Sequence, residues 1–333
     1  MVSGDGASFS ERELRMLRQA TAFAHDIISR SNEEARGADR VAERVRIEIS
    51  QAWSRGWELF DACIFASQQN GLLLLERGES TRDGHSPKRD VLTLVYCAAV
   101  IHLLEIRQLL SAGLWAGAAA RWRALHEISV TARTLAQSDV VTAERYIDHS
   151  FIVQTQRLSK FWEAHKRGPL SEVELDRRRA AAAVHLAKYS ATDEAPFRDA
   201  YGWAAHLMPL TRAGDKRQRP TMEALEKLAG LDEMRMLVVS AHGLVHADSA
   251  GVAAAILGEP GDWILGPQPL HIETVARPAM LSLQQIVASV YGGFERESND
   301  FTNMLELLGA TLVRLASWAA DEFMRSPDGS KPT

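Results

Sequence analysis

The stretch "ADRVAERVRIEISQAWSRGWELFDACIFASQQNGLLLLERG", residues 38–78, carries a sustained helical pattern. Its large apolar side chains recur every three or four residues, a spacing that places them on one face of an α-helix. They are Val41, Val45, Ile49, Trp53, Trp57 and Phe60. Glycine commonly follows the last turn of a helix, and Gly78 stands at that position here. The stretch therefore predicts one long helix, or two end to end, and indicates an all-α fold.

The same signals recur along the rest of the chain. A capping box at residues 10–13 begins a helix that we expect to end near Ser31. Ser86 and Pro87 begin another, because serine caps a helix and proline suits its first position. Further helices are predicted over residues 114–136, 140–168 and 171–190. Helices resume at 221 and 231, and two more are predicted over 273–296 and 299–324. The chain is predicted to be almost entirely helical.

Two segments break the pattern. Residues 192–220 are interrupted by proline and glycine and predict a lid or binding loop. "AGVAAAILGEPGDWILGPQPLHI" predicts a short irregular or hairpin insertion near 250–270. No linker separates two cores, so residues 9–325 are expected to form one large multi-helix bundle. Residues 9–85 would supply N-terminal helices and 86–325 the core, with a disordered start (1–8) and a loose tail (326–333).

Composition excludes several classes of protein. The net charge of −5 gives no global field that attracts nucleic acid. Cys63 and Cys97 are the two cysteines, too few for a disulfide scaffold, and they indicate a reducing cytoplasm. The start lacks a secretory signal, and the apolar run from Val91 is shorter than the roughly 20 residues of a membrane span. Motifs of nucleotide hydrolysis and of serine triads are absent. We therefore expect a cytoplasmic protein without membrane contact.

The first candidate site lies in "GLWAGAAARWRALHEISVTARTLA". Arg123 and Glu127 stand four residues apart and can pair on one helix face. Arg121 and His126 lie at other angles of the same helix. The small residues before them allow another backbone to come close, which indicates a central helix. A charge pair there is a buried bridge, part of a site, or an ordinary exposed pair, and these alternatives remain open.

The second candidate is a histidine pair in "RMLVVSAHGLVHADSAG", residues 235–251. His242 and His246 are one helical turn apart, so their rings can converge, and Ser240 is close by. One interpretation is a divalent metal site formed by His242, His246 and Glu127, although no glutamate follows the first histidine as in zinc proteases. A second is structural, since histidines in a last turn interact favourably with the helix dipole. A third is catalytic.

These motifs resemble a known bacterial family. "GAAARWRALHE", "ERYIDH" and "SAHGLVHADSAG" are similar to the family catalogued as domain of unknown function 5677, over roughly residues 90 to 320. The resemblance implies an all-α fold and no particular activity. The positions that match its pattern are Arg123, Glu127, His246, Ser240 and Asp148.

The catalytic interpretation is metal-independent RNA cleavage. Helical nucleases of the HEPN superfamily carry an arginine and a histidine separated by four to six residues, in which histidine moves a proton and arginine stabilises the phosphorane. Arg121 with His126 and Arg235 with His242 have this spacing, but chance alone gives about three such pairs here. The residue after each arginine is also apolar, whereas the superfamily favours a polar one. The resemblance is therefore confined to spacing.

Together the patterns predict that Arg123, Glu127, His126, His242 and His246 meet between packed helices. In an RNA-cleaving enzyme His246 or His242 would be the general acid or base, and Glu127 would orient an arginine or a histidine. Arg123 or Arg121 would stabilise charge, and the loop residues Lys216, Arg217 and Arg219, with Ser240, would bind the substrate. This interpretation needs no cofactor, and a homo-oligomer is expected. The alternatives are a non-catalytic binding or assembly module and a helical-bundle metal site.

Overall fold

The computed structural model describes residues 10–80, 86–165, 168–190, 197–210, 218–246, 249, 266–294 and 300–325. The helices are α1 (Glu11–Ala52), α2 (Ser54–Ser80), α3 (Pro87–Ser111), α4 (Trp115–Gln137), α5 (Val140–His165), α6 (Glu172–Ser190), α7 (Met222–Ala229), α8 (Arg235–His246), α9 (Ile272–Gly293) and α10 (Asp300–Glu322). Two short 3-10 helices lie at Gly202–Leu207 and Asp232–Met234. The described residues contain no β-strand, which confirms the all-α prediction.

The junction of α1 and α2 lies at Trp53, within the strongest periodic stretch. The indole Nε1 of Trp57 donates to the carbonyl of Ile49 at 3.1 Å, across the break. Trp53, Trp57 and Phe60 then surround the ring of Phe323 at centroid distances of 5.2 to 6.3 Å. The two helices therefore meet end to end over an aromatic cluster that fixes the end of α10 against α2.

Helices α3, α4 and α9 form the centre of the bundle. Ala118 and Ala119 of α4 are buried, so the small residues bring its neighbours close, as the sequence indicated. Trp122 is also buried, and its indole Nε1 donates to Ser282 Oγ of α9 at 3.2 Å. The buried apolar side chains, of which Val45 is the first and Phe323 the last in sequence, form one connected hydrophobic core. Helix α4 is thus the central helix that carries the first candidate site.

Helices α5 and α6 form a peripheral hairpin against which the Gly202–Leu207 helix packs. The Nε atom of Arg145 donates to the carbonyl of Trp203 at 3.0 Å, and His149 Nε2 bonds the carbonyl of Asp199 at 2.7 Å. Trp203 is almost fully buried. The middle of the segment predicted as a lid or binding loop is therefore part of the packed structure, while residues 191–196 and 211–217 lie outside the described part.

Several sequence signals are confirmed at helix ends. Asp139 Oδ1 accepts from the Thr142 backbone N–H at 3.0 Å, and Ser171 Oγ accepts from the Glu174 N–H at 3.2 Å. The predicted end near Ser31 is wrong, because α1 continues unbroken to Ala52. Residues 250–265 of the predicted hairpin lie outside the described part. Among the described residues, no helix combines the length and apolarity needed to cross a bilayer.

Candidate functional site

Helix α4 directs its polar side chains to different neighbours. Arg123 Nη2 and Glu127 Oε1 are 2.7 Å apart, so the predicted pair forms, with both side chains partly exposed. Arg121 points elsewhere: its Nε atom lies 3.5 Å from Glu105 Oε2 of α3, and half of its side chain is exposed. The two arginines are about 200° apart around the helix. Arg121 therefore lies on a different face of α4 from Arg123, and its role in stabilising charge stays a prediction.

His126 is fully buried and pairs with a residue far away in sequence. Its Nε2 atom lies 3.1 Å from Glu226 Oε1 of α7, and both side chains are inaccessible to solvent. The other oxygen, Glu226 Oε2, accepts from Arg235 Nη1 of α8 at 3.0 Å. Arg235 is partly exposed. A continuous His126–Glu226–Arg235 chain thus leads from the core to the surface and ties α4, α7 and α8 together.

Burial and charge shift the ionisation of this chain. Burial, followed by the positive charges of Arg235 and Arg123, lowers the pKa of His126 to about 4. The imidazole is therefore neutral at physiological pH and donates its Nε2 proton to the carboxylate. Burial raises the pKa of Glu226, and Arg235 opposes that rise. The charge pair is consequently Glu226 with Arg235, while His126 supplies a neutral hydrogen bond.

The ionisation of Tyr201 responds to both polar groups of the site. Burial raises the pKa of its hydroxyl, and the charges of Glu127, Arg123, Glu226 and Arg235 also act on it. These charges belong both to the Arg123–Glu127 pair and to the buried chain, so both groups influence the ionisation of Tyr201. The Gly202–Leu207 helix follows Tyr201 directly and packs against α5.

His242 and His246 are adjacent, as their spacing predicts, with ring centroids 4.1 Å apart. Both side chains are exposed at the C-terminal end of α8. Arg235 lies on the same helix face, because positions seven and eleven residues apart nearly coincide around an α-helix. Along the helix axis, His242 is about 10 Å and His246 about 16 Å from Arg235. Arg235 and the histidines therefore form a row.

The remaining predicted residues lie apart from this row. Ser240 is on the opposite side of α8, and its hydroxyl donates to the carbonyl of Met236 at 3.1 Å, so it does not face the histidines. Arg219 Nε lies 2.8 Å from Asp199 Oδ2, and the Arg219 side chain is largely exposed. The substrate-binding roles of Ser240 and Arg219 stay predictions. Lys216 and Arg217 lie outside the described residues.

The metal alternative is not supported by the donor atoms. Within the described part of the chain, no three His, Cys, Asp or Glu side chains are arranged to hold a metal ion. Glu127, the predicted third ligand, pairs with Arg123 instead. His242 and His246 thus do not join Glu127 in a ligand set.

Sequence reasoning missed Glu226 and Tyr201, and it considered Arg235 only as one of several chance spacings. Glu226 stands in "MEALEKLA", an amphipathic helix in which a glutamate ordinarily faces water. Its partner His126 is one hundred residues away. The sequence carries no local signal for such a contact. Arg235 was detectable, since it precedes His242 on one helix face.

The fold and these contacts define the chain as an all-α bundle with a polar network at the junction of α4, α7 and α8. Residues 89–262, just over half of the chain, match the family of unknown function DUF5677, and the protein belongs to that family. The matched segment contains Arg123, His126, Glu226, Arg235 and the histidine pair. No curated protein and no solved structure matches the chain.

Proposed function

We propose that the protein is a metal-independent ribonuclease whose active surface is the row Arg235, His242 and His246. The observation that carries the proposal is the position of two adjacent exposed imidazoles on the helix face that also bears a fixed, partly exposed guanidinium. Two imidazoles and one cation are sufficient for cleavage of RNA through its own 2′-hydroxyl. RNA is the proposed substrate because this reaction requires that hydroxyl.

The reaction would begin when one imidazole takes the proton of a ribose 2′-OH. The 2′ oxygen attacks the adjacent phosphorus, and Arg235 stabilises the charge that develops on the phosphorane oxygens. The bond to the 5′ oxygen then breaks, and the second imidazole, in its protonated form, donates a proton to that oxygen. The products are a 2′,3′-cyclic phosphate and a 5′-hydroxyl. One histidine ends protonated and the other neutral, and exchange with water restores them.

The buried part of the network supports this function indirectly. His126 is inaccessible, so it is a positioning residue and not the acid or base that its spacing from Arg121 predicted. Its hydrogen bond orients Glu226, and Glu226 holds Arg235 Nη1, which leaves the rest of the guanidinium partly exposed on α8. A pre-oriented arginine loses less entropy when it binds a phosphate.

The experiment is cleavage of labelled total tRNA by the purified protein, with and without EDTA. His242→Ala, His246→Ala and Arg235→Ala are expected to lower the rate by about 100-fold or more. His165→Ala is the matched control, since His165 is also exposed in the last turn of a helix, and it should retain full activity. Cleavage that survives EDTA and yields cyclic phosphate ends supports the proposal. Cleavage that survives all three substitutions contradicts it.

A non-catalytic binding or assembly module is the second candidate. It is favoured by the complete burial of His126 and Glu226, which is typical of a polar network that specifies packing. In that case the wild-type protein leaves the same tRNA intact, and the only effect of Arg235→Ala is a lower stability. Intact RNA together with a fully folded protein would therefore select this candidate over the ribonuclease.

A further inference from the structure

The N-terminal part of α1, residues 11–30, is an exposed helix that we call the arm. Every described side chain from Ser10 to Ile28 is exposed, and Val45 is the first buried one among the side chains of α1 that the structure describes. Six large apolar side chains of the arm are between 39% and 66% exposed: Leu14, Met16, Leu17, Phe23, Ile27 and Ile28. A contiguous exposed apolar surface of several hundred Å² is typical of a contact site.

These apolar residues occupy one half of the helix circumference. At 100° per residue, Leu14, Leu17 and Ile28 form one row, and Met16, Phe23 and Ile27 form a second row. The charged residues Arg15, Arg18 and Asp26 lie on the opposite half. Half a circumference is wider than the seam of a two-stranded coiled coil and suits a helix that packs against a pair of helices.

A second unpartnered apolar surface lies on α2 and α3. Phe65 and Leu72 of α2 are seven residues apart, as are Leu94 and Ile101 of α3, and all four are between 54% and 64% exposed. Leu75 extends the surface at 45%. We call these five residues the α2–α3 face.

Contacts between α2 and α3 place the two rows side by side. Arg107 donates to Asp61 at 2.7 Å, and the Tyr96 hydroxyl donates to the Ser67 carbonyl at 3.2 Å, so the helices are antiparallel. In this register Phe65 is level with Ile101, and Leu72 with Leu94. The α2–α3 face is thus a shallow apolar track between two helices.

The arm cannot reach the α2–α3 face of its own chain. At about 1.5 Å per residue along the helix, Ile28, the apolar arm residue nearest the junction at Trp53, lies about 37 Å before that junction. The face ends at Leu75, about 33 Å after that junction. Even an α1 folded back fully along α2 would place its apolar rows beyond the face. Both surfaces therefore need a second molecule.

We propose that the protein is a reciprocal homodimer in which the arm of each copy packs on the α2–α3 face of the other. At roughly 200 Å² for a fully exposed side chain of this size, each surface offers on the order of 600 Å². Two symmetric contacts then bury on the order of 2,000 Å², above the roughly 1,200 Å² of the smallest stable interfaces. Both unpartnered surfaces are covered by one closed twofold arrangement.

The test is sedimentation velocity of the full chain with two paired variants. Leu17→Glu with Ile28→Glu alters the arm, and Leu72→Glu with Ile101→Glu alters the α2–α3 face. Each pair is expected to weaken dimerisation by about 100-fold or more, because it places charges in an apolar contact. Val184→Glu, at an exposed apolar position of α6, is the control and should leave the dimer intact. Circular dichroism should show that all variants are folded, since the altered side chains are exposed.

Mixing the arm variant with the face variant distinguishes this dimer from its alternatives. The unaltered arm of one variant meets the unaltered face of the other, so one of the two contacts is restored and heterodimers form. If the dimer formed between two arms, the substitutions in the α2–α3 face would not weaken it. If it formed between two α2–α3 faces, the substitutions in the arm would not weaken it. Either result contradicts the proposal. A wild-type protein that sediments as a monomer, or a mixture of the two variants that remains monomeric, also contradicts it.

Discussion

At the scale of single residues, Glu226 is the centre of the polar network. Its two oxygens contact residues of two other helices, His126 of α4 and Arg235 of α8. Because the carboxylate is fully buried, its desolvation is offset only while these partners are present. The same contacts fix the guanidinium that we place in the active surface. In the proposed ribonuclease, stability and activity would therefore both depend on this side chain.

Removal of this carboxylate should be costly. Glu226→Ala leaves His126 buried without its hydrogen-bond partner and releases Arg235, so we expect the free energy of unfolding to fall by about 3 kcal/mol. Glu223→Ala is the matched control, because Glu223 forms an exposed pair with Lys227 on the same helix. It should cost less than about 1 kcal/mol. Urea unfolding followed by circular dichroism measures both, and equal losses would contradict the role of Glu226.

The lowered pKa of His126 predicts a dependence of stability on pH. Between pH 6.5 and about 4 the unfolded chain binds a proton at His126 that the folded protein does not. Acidification over this window therefore favours unfolding, by up to about 3 kcal/mol, and the effect is complete below the folded pKa. The raised pKa of Glu226 has the opposite effect on stability, because near the ordinary pKa of a glutamate the folded protein binds a proton that the unfolded chain does not. The net loss of stability is therefore smaller.

His126→Gln removes the titrating group and keeps a side chain that donates a hydrogen bond. Urea unfolding at several pH values should show a flatter dependence between pH 6.5 and 4 in this variant than in the wild type. The same steepness in both proteins would show that other groups control the acid sensitivity.

Contacts close in sequence were predictable, and distant contacts were not. The Arg123–Glu127 pair and the adjacent rings of His242 and His246 follow from helical spacing alone. The partner of His126 does not, because α4 and α7 meet only through tertiary packing. The sequence placed His126 among the catalytic residues, whereas the structure buries its side chain almost completely.

At the scale of elements, close packing of α9 against α3 and α4 depends on one glycine. A Cβ atom at Gly293 would lie 2.8 Å from a methyl group of Leu92 and 3.1 Å from the Ala136 backbone. Gly293→Ala should therefore lower the free energy of unfolding by about 1–3 kcal/mol. At the neighbouring Gly292 the same change meets no atom within 4 Å, and alanine should be neutral or stabilise the helix by up to about 1 kcal/mol. Thermal unfolding of the two variants compares them directly, and similar melting temperatures would contradict this packing.

Helix positions were predicted well where capping residues mark an end, and less well in α1. Asp139 and Ser171 mark helix starts through hydrogen bonds that involve only neighbouring residues. In α1 the segment "SNEEARG" lacks a proline, and its Glu, Ala and Arg residues favour a helix strongly enough for α1 to pass Gly37. The length of α1 is what carries the arm away from its own α2–α3 face.

At the scale of the whole molecule, the described core is continuous from Val45 to Phe323, and the arm lies outside it. The two parts should therefore respond differently to dilution. In the proposed dimer, arm amides are protected by helix formation that depends on the second copy, because an isolated helix of this length frays readily. Amides of α3 are protected by the core in either state.

Hydrogen exchange measured by mass spectrometry at protein concentrations below and above the dimerisation constant tests this difference. Peptides from residues 10–31 should exchange faster in the dilute sample, and peptides from α3 should not change. In the variant with Leu17→Glu and Ile28→Glu, the arm should exchange rapidly at both concentrations. An arm whose protection is independent of concentration would be stabilised within its own chain, and the second copy would then have no role in ordering it.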